Sequence, residues 1–135
     1  MIQIEWDNKY AVGHSRIDHE HQVFLDLIKN ASMIDETAAP KERTLRLMTE
    51  VRKYADFHFY SEENIMLDIQ YPEYQNHKHE HQVLLSKFDE HLHNYIDGVT
   101  KLDQVVNFMF EWFALHTTTV DKQLGEYIKS HPAVD

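Results

Sequence analysis

The chain has 135 residues, 42% of them hydrophobic, and a formal net charge of −10. Its length is typical of a single domain with a buried core. The acidic charge argues against nucleic acid or an anionic membrane as partner, since both need a basic face, and the absence of cysteine from the sequence excludes disulfides, thiolate zinc sites and iron–sulfur clusters.

The hydropathy of the sequence predicts no membrane-crossing segment. Its apolar runs are much shorter than the roughly 18 residues that cross a bilayer. The opening stretch MIQIEWDNKY carries acidic residues and lacks the apolar centre of a signal peptide. We therefore expect a cytoplasmic protein with no membrane partner. The acidic surface, with no obvious apolar patch in the sequence, leads us to expect a monomer.

Glycine and proline divide the chain into an N-terminal arm and four longer stretches. Pro40, Pro72 and Gly98 lie at the breaks. The predicted elements are an arm at 1–15 and helices at about 16–36, 40–68, 72–97 and 101–130. Apolar residues recur at spacings of three and four within each stretch, which is typical of amphipathic helices. The pattern predicts an all-α fold, an antiparallel up-down four-helix bundle with an N-terminal arm, in one domain spanning 1–135.

Several polar residues share the apolar stripes of these helices. Because each helical residue advances about 100°, the inward polar side chains can be identified from their positions: His21, His58, Glu62, His77, His81 and His116. His19 and His79 point away from the stripes. Buried imidazoles and carboxylates must be paired or bound to metal, and one core could not otherwise satisfy five imidazoles. Partners four residues apart lie close enough to share one ion, so the pattern predicts a metal site.

Asp121 is a further candidate with an awkward spacing. It lies five residues after His116, which is about 140° further round a regular helix and too far to reach the same centre. Leu124 and Ile128 continue a second apolar stripe from Asp121. One extra residue in the turn would align the two stripes, so we predict a π-bulge or similar irregularity between His116 and Asp121. The alternative is a regular helix with Asp121 as an ordinary surface acid.

Four segments carry a resemblance that covers nearly the whole chain: WDNKYAVGHSRIDHEH, HFYSEENIM, YPEYQNHKHEH and WFALHTTTVD. Together they resemble the hemerythrin family, and within it the single-domain bacterial hemerythrins. The resemblance implies two iron ions in a di-iron centre with an oxo or hydroxo bridge. It implies that the ligands of the first iron are His77, His81 and His116, and that those of the second are His21 and His58. It also implies that Glu62 and Asp121 bridge the two.

The implied site has a chemical logic. Imidazole and carboxylate ligands without thiolate suit iron, and their number fits a two-metal centre better than a four-coordinate structural zinc. Three histidines and three bridging groups would occupy every coordination position of one iron. Two histidines and the same bridging groups would leave one position vacant on the other iron. The resemblance therefore implies a binding protein for dioxygen, not an enzyme, used for reversible storage, transport or sensing.

The alternative is a di-iron enzyme on the same scaffold, namely an oxidase, a peroxidase or a nitric oxide reductase. Paired Glu-x-x-His motifs would favour it, but only Glu90 and His93 have that spacing, both lie off the apolar stripe, and the stripes show no further inward acid. A third reading is a structural bundle with surface histidines and no iron.

The expected pocket has both apolar and polar neighbours. The apolar residues expected to exclude water are Phe24, Ile28, Phe59, Trp112 and Phe113. Thr117 and Thr118 stand where the family usually has isoleucine and another apolar residue. If Thr118 approaches the ligand pocket, the pocket is more polar than usual and bound dioxygen is less stable.

Overall fold

The structure, a computed structural model, describes residues 3–131, and its regular elements within that range are all helical. A short 3₁₀ turn at Asn8–Tyr10 precedes the helices. The α-helices are α1 (Ser15–Ser32), α2 (Lys41–Asp68), α3 (Tyr74–Ile96), α4 (Leu102–Thr118) and α5 (Val120–Ser130). Residues 1–2 and 132–135 of the predicted domain lie outside the described residues.

The helices pack as a square bundle. α1 and α3 each pack against both α2 and α4. Neighbouring helices are antiparallel, as the contacts between α2 and α3 show. Arg52 binds Asp89 at 2.9 Å. Further along α2, the Phe59 ring stacks on His81, an earlier residue of α3, with ring centroids 4.0 Å apart. The predicted all-α antiparallel four-helix bundle is confirmed. None of the helices in the described part of the chain has the length and apolarity needed to cross a membrane.

The apolar interior forms two separate clusters. The larger one includes Phe24, Phe88 and Met109. The smaller one consists of Val12, Ile17, Met66, Tyr71 and Leu124. Along α1, His21 lies between Ile17 of the smaller cluster and Phe24 of the larger one. The other inward histidines and carboxylates are placed in the same way, with His116 and Asp121 lying between the larger-cluster residues of α4 and the smaller-cluster residues of α5. The bundle therefore encloses a polar layer with hydrocarbon on both sides.

The helix α1 ends at Ser32, before the predicted limit at residue 36. The Asp35 side chain accepts hydrogen bonds from the backbone N–H of Thr37 at 3.0 Å and from its hydroxyl at 2.6 Å. An aspartate that bonds its neighbours in this way favours a turn over continued helix. The chain therefore turns towards α2 earlier than periodicity alone suggests.

The predicted fourth helix is present as α4 and α5, separated by Thr119 with φ −118° and ψ −74°. The N–H of Thr119 still donates to the carbonyl of Leu115 at 3.2 Å, and the N–H of Gln123 donates to the Thr119 carbonyl at 3.1 Å. The predicted irregularity between His116 and Asp121 is confirmed. It is a single-residue break between two α-helices.

The arm is fastened to both ends of the helical chain. The N–H groups of Val12 and Gly13 donate to the Asp18 carboxylate at 2.7 and 3.1 Å. Lys122 Nζ donates to the Ala11 carbonyl at 2.6 Å. Gly125 of α5 lies so close to the arm that a Cβ there would overlap the Val12 carbonyl oxygen. The arm therefore connects the start of α1 to α5.

Candidate metal centre

Seven side chains from five helices converge in the polar layer. α1 supplies His21, α2 supplies His58 and Glu62, α3 supplies His77 and His81, α4 supplies His116, and α5 supplies Asp121. All seven are at most 4% exposed. The structure thus brings together every residue that the sequence suggested as a ligand, and the break at Thr119 lets Asp121 join His116.

The seven residues form two groups with shared members. One group contains Glu62, His77, His81, His116 and Asp121, and the other contains His21, His58, Glu62 and Asp121. In each group one potential ligand atom per residue lies within 4.8 Å of all the others. Glu62 and Asp121 belong to both groups, so the layer has three histidines on one side and two on the other.

The two carboxylates divide their oxygens between the groups. Glu62 Oε1 lies 2.6 Å from His77 Nε2 and 3.3 Å from His81 Nε2. Its other oxygen, Oε2, lies 3.5 Å from His58 Nε2 and 3.9 Å from His21 Nε2. Each oxygen of Glu62 therefore faces a different group.

Asp121 repeats this arrangement. Its Oδ1 lies 3.0 Å from Nε2 of both His77 and His116, and its Oδ2 lies 3.1 Å from His21 Nε2. Each of the two carboxylates therefore has one oxygen beside each group of histidines.

The polar atoms of the layer fit metal better than they fit one another. Buried atoms without a hydrogen-bond partner include Nε2 of four histidines, both oxygens of Glu62 and Oδ1 of Asp121. Several of these atoms lie within 3.3 Å of each other. They are close enough to form hydrogen bonds, but their relative orientation is unsuitable. Unpaired buried polar groups are costly. A cation at the centre of each group of side chains would bind these atoms.

Outer hydrogen bonds fix three of the imidazoles. His58 Nδ1 lies 2.8 Å from Glu20 Oε1, and His81 Nδ1 lies 2.8 Å from Glu63 Oε2. His21 Nδ1 lies 3.2 Å from the Tyr10 carbonyl oxygen. Because these oxygens can only accept, Nδ1 carries the proton, and a neutral ring then turns its Nε2 lone pair towards the centre. This is the common arrangement of metal-binding histidines.

The expectation that no further acid points inward was wrong for Glu20, which is 6% exposed. It also accepts hydrogen bonds from Ser61 Oγ at 3.0 Å and Arg16 Nε at 3.1 Å. Glu20 and Glu63 escaped the periodicity argument because they lie about 100° off the inward stripe. Their only signal in the sequence is adjacency, since Glu20 precedes His21 and Glu63 follows Glu62.

The layer keeps its carboxylates ionised despite burial. Burial and the nearby Asp121 oppose ionisation of Glu62, but His77, His81 and His58 outweigh them and lower its pKa to about 2. Burial likewise opposes ionisation of Asp121, whose pKa is held well below its usual value by His116, His21 and His77. Two buried negative charges at the shared positions favour cations.

Burial alone would lower the pKa of His77, but Asp121 and Glu62 raise it to about 10. Without metal, this imidazole therefore carries a proton at neutral pH and supplies part of the missing positive charge.

Aromatic rings enclose the histidines. Phe59 stacks on His81 with ring centroids 4.0 Å apart, and Trp112 stacks on His116 at 4.2 Å. Phe113 lies edge-on to His21 at 5.7 Å, and Phe24 to His58 at 6.2 Å. Ile28, the fifth apolar candidate, is buried in the larger apolar cluster.

The remaining polar candidates lie outside the centre. His19, His79, Glu90 and His93 are exposed, as predicted from their angles. The hydroxyl of Thr118 donates to the carbonyl of Ala114 at 2.7 Å, so it is directed at its own helix. It does not make the metal centre more polar.

Comparison with known proteins agrees with this geometry. The family described as Hemerythrin HHE cation binding domain matches residues 12–128. The bacteriohemerythrin of Clostridium acetobutylicum is 24% identical over 127 residues, covering 87% of this chain and 95% of the relative. That of Stenotrophomonas maltophilia is 23% identical over 131 residues, covering 97% and 85%.

The bacteriohemerythrin of Campylobacter jejuni is 20% identical over 118 residues, covering 87% of this chain and 89% of its own length. The family match covers α1 to α4, α5 as far as residue 128, and every residue of the candidate metal centre. The chain therefore belongs to the hemerythrin family.

Proposed function

We propose that the chain binds dioxygen reversibly at a non-haem di-iron centre, for storage, transport or sensing. The observation that supports this best is the unequal division of histidines around two shared carboxylates. In this proposal, one iron is held by His77, His81 and His116, and the other by His21 and His58. Glu62 and Asp121, which belong to both groups, would bind both ions.

The unequal division leaves one side of the centre short of a ligand. Iron would supply the reversible change of oxidation state and, on the two-histidine side, a free position for dioxygen. The protein residues contribute orientation and shielding: Glu20 and the Tyr10 carbonyl hold His58 and His21 through Nδ1. Phe24 and Phe113 lie edge-on to the same two rings and exclude water from that side.

A binding role is favoured over a di-iron enzyme by the placement of the extra acids. Glu20 and Glu63 accept hydrogen bonds from Nδ1 of His58 and His81. They therefore lie on the side of each imidazole that faces away from the metal centre. No other acid joins either group within residues 3–131. Substrate oxidation or peroxide cleavage would need a proton donor at the reacting side. The relatives named bacteriohemerythrin further support the binding role.

The test is to load the purified chain anaerobically with ferrous iron, measure iron per chain, and record the visible spectrum in air and after evacuation. We expect two irons per chain and an absorption band that appears with dioxygen and disappears under vacuum. Consumption of dioxygen with immediate decay of the band would favour the enzyme. Failure to retain iron would overturn both functions.

Two histidines of the HKHEH segment provide a matched pair of variants. His81→Ala removes a buried member of the three-histidine group, whereas His79→Ala removes an exposed imidazole two residues away. We expect His81→Ala to lose iron and the dioxygen band, and His79→Ala to keep both.

A further inference from the structure

Glu20, which lies behind His58, is bonded at both of its carboxylate oxygens. Its Oε1 lies 2.8 Å from His58 Nδ1. Its Oε2 accepts hydrogen bonds from Ser61 Oγ at 3.0 Å and from Arg16 Nε at 3.1 Å. One oxygen therefore orients the imidazole, and the other is available to groups that hold the carboxylate itself in place.

The two partners of Oε2 differ in their surroundings. Ser61 is 2% exposed, whereas the Arg16 side chain is 59% exposed and lies on the same helix as Glu20. An exposed ion pair of this kind is screened by salt and contributes little. A hydrogen bond from a buried hydroxyl to a carboxylate has no competition from bulk water and is among the stronger ones. Ser61 is therefore the partner that we expect to fix the carboxylate.

Ser61 donates its hydrogen bond to another helix and not to its own. Inside a helix, a serine or threonine hydroxyl can bond the carbonyl four residues earlier, as Thr49 does to Leu45 at 2.8 Å in the same helix. A hydroxyl has a single proton to donate. In Ser61 that proton is used for Glu20 of α1, 41 positions earlier in the chain. The bond thus links α1 and α2 beside the metal centre.

Arg16 is placed to draw the carboxylate away from His58. A guanidinium group binds a carboxylate best through two parallel hydrogen bonds, one to each oxygen. Arg16 contacts only Oε2 of Glu20, through Nε. If Glu20 turned to offer it both oxygens, Oε1 would leave His58 Nδ1. The hydroxyl of Ser61, which holds Oε2 from the buried side, opposes this turn.

His81 provides a comparison within the same centre. Its Nδ1 lies 2.8 Å from Glu63 Oε2, but no residue within 3–131 donates a hydrogen bond to the other oxygen of Glu63. The Glu63 side chain is also more exposed than that of Glu20, 16% against 8%. The carboxylate behind His58 is therefore held at both oxygens, whereas the one behind His81 is held at one.

We propose that Ser61 is a positioning residue for His58. By holding Oε2 of Glu20, its hydroxyl keeps Oε1 on Nδ1 and so keeps Nε2 directed towards the metal centre. The inference rests on the proposed function, because this orientation matters only if His58 binds a metal ion. His58 belongs to the two-histidine group, so Ser61 acts on the side of the centre that would bind dioxygen.

The first test replaces Ser61 by Ala and uses Ser86→Ala as the control for helix propensity, since Ser86 is exposed in the middle of α3. The probe is the Nδ1 proton signal of His58 in nuclear magnetic resonance spectra of the Zn²⁺-loaded chain. We expect Ser61→Ala to shift or broaden this signal, while the Nδ1 signals of His21 and His81 stay in place. Ser86→Ala should leave all three unchanged.

The second test measures the affinity for Co²⁺ by competition with a coloured chelator. Ser61→Ala should bind Co²⁺ about 5-fold more weakly, the change that corresponds to the usual net value of one hydrogen bond. Arg16→Gln should lose less affinity, because its ion pair is exposed. In a Glu20→Ala background, Ser61→Ala should cause no further loss, since the hydroxyl acts through that carboxylate.

The outcomes separate this inference from the proposed function. An unchanged His58 signal and an unchanged Co²⁺ affinity in Ser61→Ala would overturn the inference and leave the proposed function intact. A further loss from Ser61→Ala in the Glu20→Ala background would also overturn it, because the hydroxyl would then support the fold and not the carboxylate. So would a larger loss from Arg16→Gln than from Ser61→Ala. If the wild type binds none of Co²⁺, Zn²⁺ and Fe²⁺, the proposed function fails and this inference fails with it.

Discussion

At the scale of single residues, the imidazoles of the metal centre are held in two ways. His21, His58 and His81 are oriented by acceptors on Nδ1. The Nδ1 atoms of His77 and His116 have no hydrogen-bond partner among the described residues. His116 is instead stacked on Trp112 at 4.2 Å. Both imidazoles of the two-histidine side thus have a hydrogen bond at Nδ1, whereas on the three-histidine side only His81 has one.

Glu20→Gln should weaken metal binding on the two-histidine side. The amide can still accept from His58 Nδ1, but it no longer supplies the negative charge that makes the imidazole more basic. We expect a loss of about 10-fold in affinity for the metal on that side, the lower limit for groups behind a ligand. Competition with a coloured chelator measures the affinity.

The matched control is Glu90→Gln, which removes an exposed carboxylate from α3. It should leave both affinities at the wild-type value. An equal loss in the two variants would show that total charge, and not the bond to His58, controls binding.

At the scale of elements, the arm contacts α1, α4 and α5 beside the metal centre. The Tyr10 carbonyl accepts from His21 at 3.2 Å, and the Ala11 carbonyl accepts from Lys122. Tyr10 also packs edge-on against Phe113 at 5.1 Å. A shift of the arm would therefore disturb one proposed ligand, His21, directly and a second, Asp121, through α5.

Gly125→Ala should displace the arm. Alanine gains about 1 kcal/mol of helix propensity over glycine, but its Cβ would overlap the Val12 carbonyl oxygen, and overpacking costs about 1–3 kcal/mol. We expect a net loss of stability in urea unfolding and weaker metal binding.

Gly98→Ala provides the comparison. A Cβ there meets nothing within 4 Å, and the only cost is the positive φ of 76°. This variant should lose some stability but keep the metal affinity of wild type. A more stable Gly125→Ala protein would rule out the close contact.

The opposite end of the bundle is tied by Tyr95. Its hydroxyl donates to Glu36 Oε1 at 2.8 Å, and Lys41 lies 5.0 Å over its ring. Burial, followed by the Glu36 carboxylate, raises the pKa of Tyr95 to about 12 from 10.0. The neutral phenol therefore joins the loop after α1 to the end of α3.

Replacing Tyr95 by Phe should cost about 1 kcal/mol near pH 7, the usual net value of one hydrogen bond. Because the folded pKa is raised, the stabilisation is complete below pH 10 and is lost as the pH rises towards 12. The difference between wild type and Tyr95→Phe in urea unfolding should therefore shrink across that range. A difference that stayed constant would mean that the phenol does not titrate with folding.

At the scale of the whole molecule, periodicity predicted the bundle and its inward histidines because both follow from the same helical repeat. The positions of His77 and His81 against His79 are fixed by a helical angle of about 100° per residue. Asp121 could be reached only by assuming an irregularity, and spacing alone does not distinguish a π-bulge from the break that the structure has at Thr119. Glu20 was missed because its burial arises from packing between α1 and α2, which involves residues 38 apart.

The two apolar clusters on either side of the polar layer determine how the molecule responds to loss of metal. The larger cluster lies mainly away from the metal centre and joins all four bundle helices, so it should hold the helices together without metal. The polar layer itself would then contain two ionised carboxylates and protonated imidazoles such as His77. That arrangement leaves several buried atoms without partners.

Removal of metal by a chelator should therefore lower the melting temperature but leave the helical circular dichroism at room temperature intact. A ligand at 100 times its dissociation constant stabilises the folded state by about 2.7 kcal/mol, which sets the scale for weak binding. Hydrogen exchange should quicken first around Asp121 and the start of α3, while amides near Phe88 and Met109 stay protected. The His81→Ala variant should show a much smaller chelator effect. Complete unfolding of the metal-free protein would mean that the larger cluster cannot support the bundle and that metal binding and folding are a single event.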